Sequence, residues 1–150
     1  MAASSSADLE RLLERARLAA RHAYAPYSGY AVGCALRCGG DGAVFVGCNV
    51  ENASYGLSLC AERVAASAAV AAGRRDFDAI AVWAEGPELP YPCGACRQFL
   101  VEFGAGLTVV VGNGSGSLAV PLEELLPRPF LPSSVAGARA GWPGRAGGRR

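Results

Sequence analysis

The sequence of 150 residues has no lysine, a single histidine, no acidic residue beyond Glu124 and no long apolar run. Each lack narrows what the chain can be. No apolar stretch approaches the roughly 18 residues that a membrane-spanning helix needs, which excludes a helical membrane protein. The opening Met1-Ala-Ala-Ser-Ser-Ser-Ala-Asp8 has neither the basic n-region nor the apolar core of a secretion signal, so a soluble, cytoplasmic protein is expected. With His22 as the only histidine, any metal centre must be rich in thiolate. His22 itself falls on the predicted first helix and is expected at the surface, not as a ligand. The absence of lysine is a compositional bias and carries no mechanism.

The formal charge of +1 is unevenly spread. The tail from Val135 carries Arg139, Arg145, Arg149 and Arg150 and no acid. Setting those four aside leaves 10 of the 14 basic residues against 13 acidic ones, so the body lies near −3. A body of that sign is a poor trap for long nucleic acids. A small neutral substrate fits better.

The apolar fraction of 51% and the length indicate one globular domain. Leu9, Leu12, Leu13, Ala16, Ala20 and Ala23 recur at helical spacing and predict a helix over 8–24, capped by Ser6 or Asp8. Strands are predicted over 30–36 and 43–48, joined by a hairpin at Cys38-Gly-Gly-Asp-Gly42. A polar loop from Asn49 to Gly56 leads to a helix over 60–72. A buried strand over 79–84, a helix over 93–103, a strand over 107–111, a short extended piece after Asn113-Gly-Ser-Gly116 and a helical turn over 122–126 follow. Alternating strands and helices imply an α/β protein, a three-layer α/β/α sandwich with a mixed five-stranded sheet. The domain is expected over 1–132. The remainder, 133–150, is Ala, Gly, Pro and Arg without period and is expected to be disordered.

The chemistry concentrates in Cys60-Ala61-Glu62 and Pro92-Cys93-Gly94-Ala95-Cys96. Zinc prefers sulfur and nitrogen donors in a tetrahedron, and a catalytic zinc takes three protein ligands and leaves one place open. Cys60, Cys93 and Cys96 meet that count. Cys93 and Cys96, three apart, share one helix face. Helix starts lower thiol pKa values and so favour the ligating thiolate. Three thiolates and Zn²⁺ sum to −1, and Arg63 and Arg97, just after the two segments, are the candidates to offset that charge; at least one should donate to a cysteine sulfur. Glu62 can reach a water at the metal without being a ligand, and can act as general acid and base. Cys34 and Cys48 read as small buried apolar residues and Cys38 as an exposed thiol in the hairpin.

Cys-x-Glu followed by Pro-Cys-x-x-Cys is the signature of zinc deaminases that act on nucleobases. From about Tyr24 to Phe130 the chain resembles the small, homotetrameric cytidine deaminases. The resemblance rests on Tyr24-Ala-Pro-Tyr-Ser-Gly-Tyr-Ala-Val-Gly33, Gly47-Cys-Asn-Val-Glu-Asn-Ala-Ser-Tyr55, Cys60-Ala-Glu-Arg63 and Pro92-Cys-Gly-Ala-Cys-Arg-Gln98, with a weaker block at Glu123-Glu-Leu-Leu-Pro127 and Phe130. It implies one zinc per chain on Cys60, Cys93 and Cys96, a proton shuttle at Glu62, and hydrolysis of cytidine and deoxycytidine to the uridine forms with release of ammonia in pyrimidine salvage. It further implies ribose contacts from Asn49 and Glu51, a base contact from the Ala61 amide, and contributions across subunits from Ala53, Tyr55 and Phe130. Tyr30 stands where the family usually has the Phe that packs on the base, and Tyr91 where it commonly has Ser.

A carboxylate and an amide two apart on an extended loop suit a diol, and sites built for those hydroxyls reject free cytosine. Other readings remain open: a structural zinc with Cys48 as fourth ligand, a redox pair at Cys93 and Cys96, a deaminase of a cytosine antibiotic or polynucleotide, or a zinc-stabilised binding module without catalysis. Glu62 separates the last of these from the enzyme.

Overall fold

The first helix, α1 (Ser6–Ala20), starts from a capping box: Ser5 accepts from the Asp8 amide, and the Asp8 carboxylate accepts from the Ser5 amide. The cap is therefore Ser5, one residue before the first predicted candidate, with Asp8 as its reciprocal partner. The helix also ends earlier than predicted. Its apolar spacing continues to Ala23, but Tyr24 is drawn into extended pairing with Val50, and its amide donates to the Asn49 carbonyl at 3.0 Å. Tertiary pairing overrides helix periodicity there.

The structure, a computed structural model, describes residues 5–135. After α1 come β1 (Val32–Cys38), β2 (Val44–Cys48), a 3-10 turn (Tyr55–Leu57), α2 (Ala61–Ala71), β3 (Phe77–Ala84), α3 (Gly94–Val101), β4 (Thr108–Asn113), β5 (Gly116–Pro121) and α4 (Leu122–Leu125). The sheet order is β2-β1-β3-β4-β5. Within this sheet β3 and β4 pair in parallel, and α3 makes the crossover between them. The remaining pairs are antiparallel, so the sheet is mixed and five-stranded. No helix among the described residues is long and apolar enough to cross a membrane. The expectation for 136–150 lies outside the described residues.

Strand alternation sends two sets of side chains to two faces. Ala35, Ala79, Ala81 and Val110 meet Leu12, Leu13 and Ala16 of α1 on one side. Cys34, Leu36, Ile80, Val82, Val109 and Val111 form the larger core on the other, under α2 and α3. Two glycines set how closely the helices approach. A Cβ on Gly33 would lie 2.0 Å from the Ala16 carbonyl oxygen, and one on Gly47 would lie 2.5 Å from the Ala61 carbonyl oxygen. Both helices thus press backbone to backbone on the sheet, with Ala61 and Ala65 of α2 fully buried. That contact fixes the N-terminus of α2, where the metal-binding segment begins.

Two expectations from the sequence do not hold. The first strand begins two residues later than predicted, because Tyr30 gives its carbonyl to Asn49 and not to a sheet neighbour. Cys38 is fully buried, not exposed: β1 runs on through it, and period-2 alternation places it beside Cys34 and Leu36 in the larger core.

Candidate active site

Cys60 and Cys93 are the N-caps of α2 and α3, both with extended backbone. Cys96 lies one turn into α3 and is buried. Cys93 is thus a cap and not a full helical residue, as a helix over 93–103 would have made it. The three sulfurs lie within 4.8 Å of one another, and Cys60 Sγ and Cys93 Sγ are 3.9 Å apart. Tetrahedral zinc with Zn–S bonds of about 2.3 Å separates its sulfurs by about 3.8 Å. The donor set and spacing therefore fit one zinc ion. This is the only such cluster among the described residues, and Cys48 is not part of it.

Cys60 and Cys96 shift each other's protonation in opposite directions. The neighbouring Cys96 thiol, helped by Arg63 and Cys93, holds Cys60 down to about 5 against the opposing effect of burial. Cys96 is driven the other way, by the neighbouring Cys60 sulfur, by burial and by the Glu62 charge. A bound Zn²⁺ would be held by these sulfurs in their deprotonated form.

Glu62 follows Ala61 in the first turn of α2 and is 4% exposed. Burial pushes its carboxyl up, and the Cys60 charge adds to that, while its own backbone amide and the Cys96 thiol pull back. A buried carboxyl beside a thiolate cluster is poised to take and give protons. The Arg63 guanidinium offers Nη2 to Cys60 Sγ at 3.7 Å and to the Ser58 carbonyl at 3.5 Å, while its buried Nε has no partner. Arg97 does something else. Its Nε donates to the Pro92 carbonyl at 2.7 Å and its Nη1 to the Leu125 carbonyl at 2.8 Å. It braces the turn that carries Cys93 and does not touch sulfur, because the reach from α3 leads across to α4.

A cleft of about 570 Å³ opens above the cysteines, and its walls include Glu62, Ala61, Tyr30, Asn49 and Glu51. The loop predicted from Asn49 onward is more ordered than its polarity suggests. Val50 exchanges both backbone hydrogen bonds with Leu59, and the Glu51 amide donates to the Tyr24 carbonyl. Asn49 and Glu51 are thereby fixed in register with Cys60.

Their side chains are held as well. Asn49 accepts from the Val32 amide and donates to the Tyr30 carbonyl, each at 2.8 Å. Glu51 accepts from the Tyr27 amide at 2.8 Å, the Ser28 amide at 3.2 Å and the Ser28 hydroxyl. These bonds keep the Glu51 carboxyl below its usual range, the Ser28 hydroxyl contributing most. Of roughly four acceptor positions on a carboxylate, three are taken inside the protein.

Tyr30 lines the cleft at 43% exposure, and its phenol is pushed up by burial and by the Glu62 charge. Tyr55 lines the mouth, 74% exposed, in edge-to-face contact with Tyr27 at 5.7 Å. Ala53 and Phe130 are exposed and do not line this cleft. Residue reading misses Ser28, which holds Glu51, and Gln98, which holds the Phe130 backbone. Both stand inside the sequence blocks that carry the resemblance, and that position is the signal that could have found them.

Three sulfurs with the spacing of a three-ligand zinc, a buried carboxylate beside them and a nucleoside-sized cleft above define a hydrolytic metal centre as the class of site. A family profile described as the cytidine and deoxycytidylate deaminase zinc-binding region matches residues 6–112. A cytidine deaminase of Halalkalibacterium halodurans is 46% identical over 125 residues, which cover 82% of this chain and 94% of that protein. The crystal structure of a cytidine deaminase from Burkholderia pseudomallei superposes with a TM-score of 0.77 at 50% identity, covering 81% of this chain and 98% of that one. That of Mycobacterium tuberculosis gives 0.72 at 40% identity, covering 82% and 97%. The chain belongs to the cytidine and deoxycytidylate deaminase family, and the sandwich with its mixed sheet is the fold of those structures.

Proposed function

We propose that this protein is a cytidine deaminase: it hydrolyses cytidine and deoxycytidine to uridine and deoxyuridine and releases ammonia. The observation that carries the reading is the buried Glu62 carboxyl in one cleft with Cys60 and Cys93, which with the buried Cys96 set three sulfurs at the spacing of zinc ligands. Cys60, Cys93 and Cys96 would hold the zinc ion, which would supply the Lewis acidity that makes water nucleophilic near neutral pH. Glu62 takes one proton from the water that adds at C4 and gives it to the ring nitrogen, then takes the remaining hydroxyl proton and gives it to the amine as the C4–N bond breaks and ammonia leaves. The Ala61 amide, one of the unpaired N–H groups at the start of α2, is placed to contact the pyrimidine. Tyr30 packs beside the base.

Asn49 and Glu51 meet the ribose. Internal bonds leave Asn49 one N–H and one lone pair and leave Glu51 about one acceptor position. The diol is therefore shared between the two side chains. A base without its sugar leaves these groups unpaired, which disfavours free cytosine.

The assembly is a homotetramer in which Ala53, Tyr55 and Phe130 reach a neighbour's site. The exposed Tyr55, Leu57 and Phe130, at 74%, 67% and 62%, support that reading. The role is pyrimidine salvage in the cytoplasm. The test is ultraviolet absorbance of cytidine mixed with the purified protein, with zinc quantified on the same sample. Loss of the cytidine band with about one zinc per chain supports the proposal; bound zinc with cytidine and deoxycytidine both unchanged refutes it.

A further inference from the structure

Phe130 presents a contradiction in its own geometry: its ring is 62% exposed, yet its backbone is held on both sides by one side chain. Gln98 Nε2 donates to the Phe130 carbonyl at 2.7 Å, and the Phe130 amide donates to Gln98 Oε1 at 3.2 Å. A primary amide here imitates a strand neighbour. The surrounding chain, Leu126-Pro127-Arg128-Pro129-Phe130-Leu131, forms no helix or strand, and its two prolines have no N–H to give. Such a segment fixes nothing by itself. Two adjacent residues of α3 tie it down instead: Arg97 grips the Leu125 carbonyl at one end and Gln98 grips Phe130 at the other. Leu131 then turns inward and packs against the larger core. The ring of Phe130 is left pointing outward from a rigid base.

We propose that Gln98 is a positioning residue that presents the Phe130 ring to a second copy of this chain. The proposal rests on the reading above in which Phe130 completes a neighbour's cleft. It adds that the aim of Phe130 is set by α3, two residues beyond the metal-binding Cys96. Holding the backbone that carries an exposed aromatic ring removes part of the conformational freedom that binding to a partner would otherwise have to remove.

The test compares Gln98→Met, Phe130→Ala and the double variant by KM, kcat, melting temperature and sedimentation mass. Gln98→Met keeps the side-chain bulk and removes both hydrogen bonds. Phe130→Ala is expected to raise KM about tenfold and Gln98→Met about threefold, the sizes that follow from removing one aromatic ring or loosening its aim, with kcat unchanged. The double variant matches Phe130→Ala alone, since Gln98 acts through that ring. A KM increase in the double variant equal to the product of the two single effects overturns the proposal. So does a Gln98→Met protein whose melting temperature falls while KM and self-association stay wild-type, which is a structural role only. If Phe130→Ala changes neither KM nor self-association, the neighbour-contact reading itself fails, and this proposal with it. Sedimentation keeps the test valid without turnover: both single variants weaken self-association, and a wild-type association profile for Gln98→Met counts against the proposal.

Discussion

The two ends of the cleft are built by opposite means. At the metal end, the ligands sit on the starts of two helices pressed against the sheet, and Glu62 and Cys96 are buried. At the sugar end, Asn49 and Glu51 sit on a connecting segment with no strand or helix of its own, held by paired backbone bonds to Tyr24 and Leu59 and by side-chain bonds to Tyr27, Ser28, Tyr30 and Val32. Rigid elements place atoms that must meet a fixed coordination geometry. A braced loop places atoms that need only recognise hydroxyls. The difference predicts that damage at one end removes the reaction and damage at the other changes what is bound.

Cys96→Ala is expected to have the largest effect. It removes one of three zinc ligands from a buried position, so zinc content and turnover fall together to background, and the zinc-dependent gain in melting temperature disappears. Retention of about one zinc per chain in this variant would break the comparison at its metal end. Glu51→Gln acts at the other end. The amide keeps one oxygen for the Tyr27 and Ser28 N–H groups but sets an NH2 donor where the other carboxylate oxygen faced the Ser28 hydroxyl, so the charge-assisted bonds weaken and an acceptor toward the sugar is lost. Tenfold to hundredfold lower kcat/KM for cytidine follows at unchanged zinc content. Ser28→Ala, which removes only the hydroxyl on that carboxylate, is the smaller version of the same change, with a loss of a few-fold. Zinc loss in either sugar-end variant would show that the two ends are not separate.

The same division governs what is legible in the sequence. Metal chemistry admits few residue types, so Cys60, Glu62, Cys93 and Cys96 stand out by identity and spacing without any knowledge of the fold. The strands and helices are readable too, because β3 and α2 are apolar runs with clear stops. What residue reading misses depends on contacts between distant segments. Tyr24 lies past the end of α1, paired with the distant Val50, and Ser28 matters because Glu51 is folded back on it. Arg97 follows Cys96 and so reads as a partner for sulfur, but direction along α3 sends it to Pro92 and Leu125. Cys38 reads as a turn residue beside its glycines, although the strand continues through it. Asn49 and Glu51 emerge through resemblance more than through pattern, since polar residues in a loop are common and the bonds that fix them are non-local.

The central claim is the division of labour at the metal end, where three cysteines hold zinc and Glu62 moves protons. The measurement is cytidine turnover and zinc content of Glu62→Ala on the same preparation. The expected result is about one zinc per chain, an unchanged melting temperature or a slightly higher one, and turnover lower by about 10²–10⁴-fold. Turnover near the wild-type rate with zinc in place would contradict it.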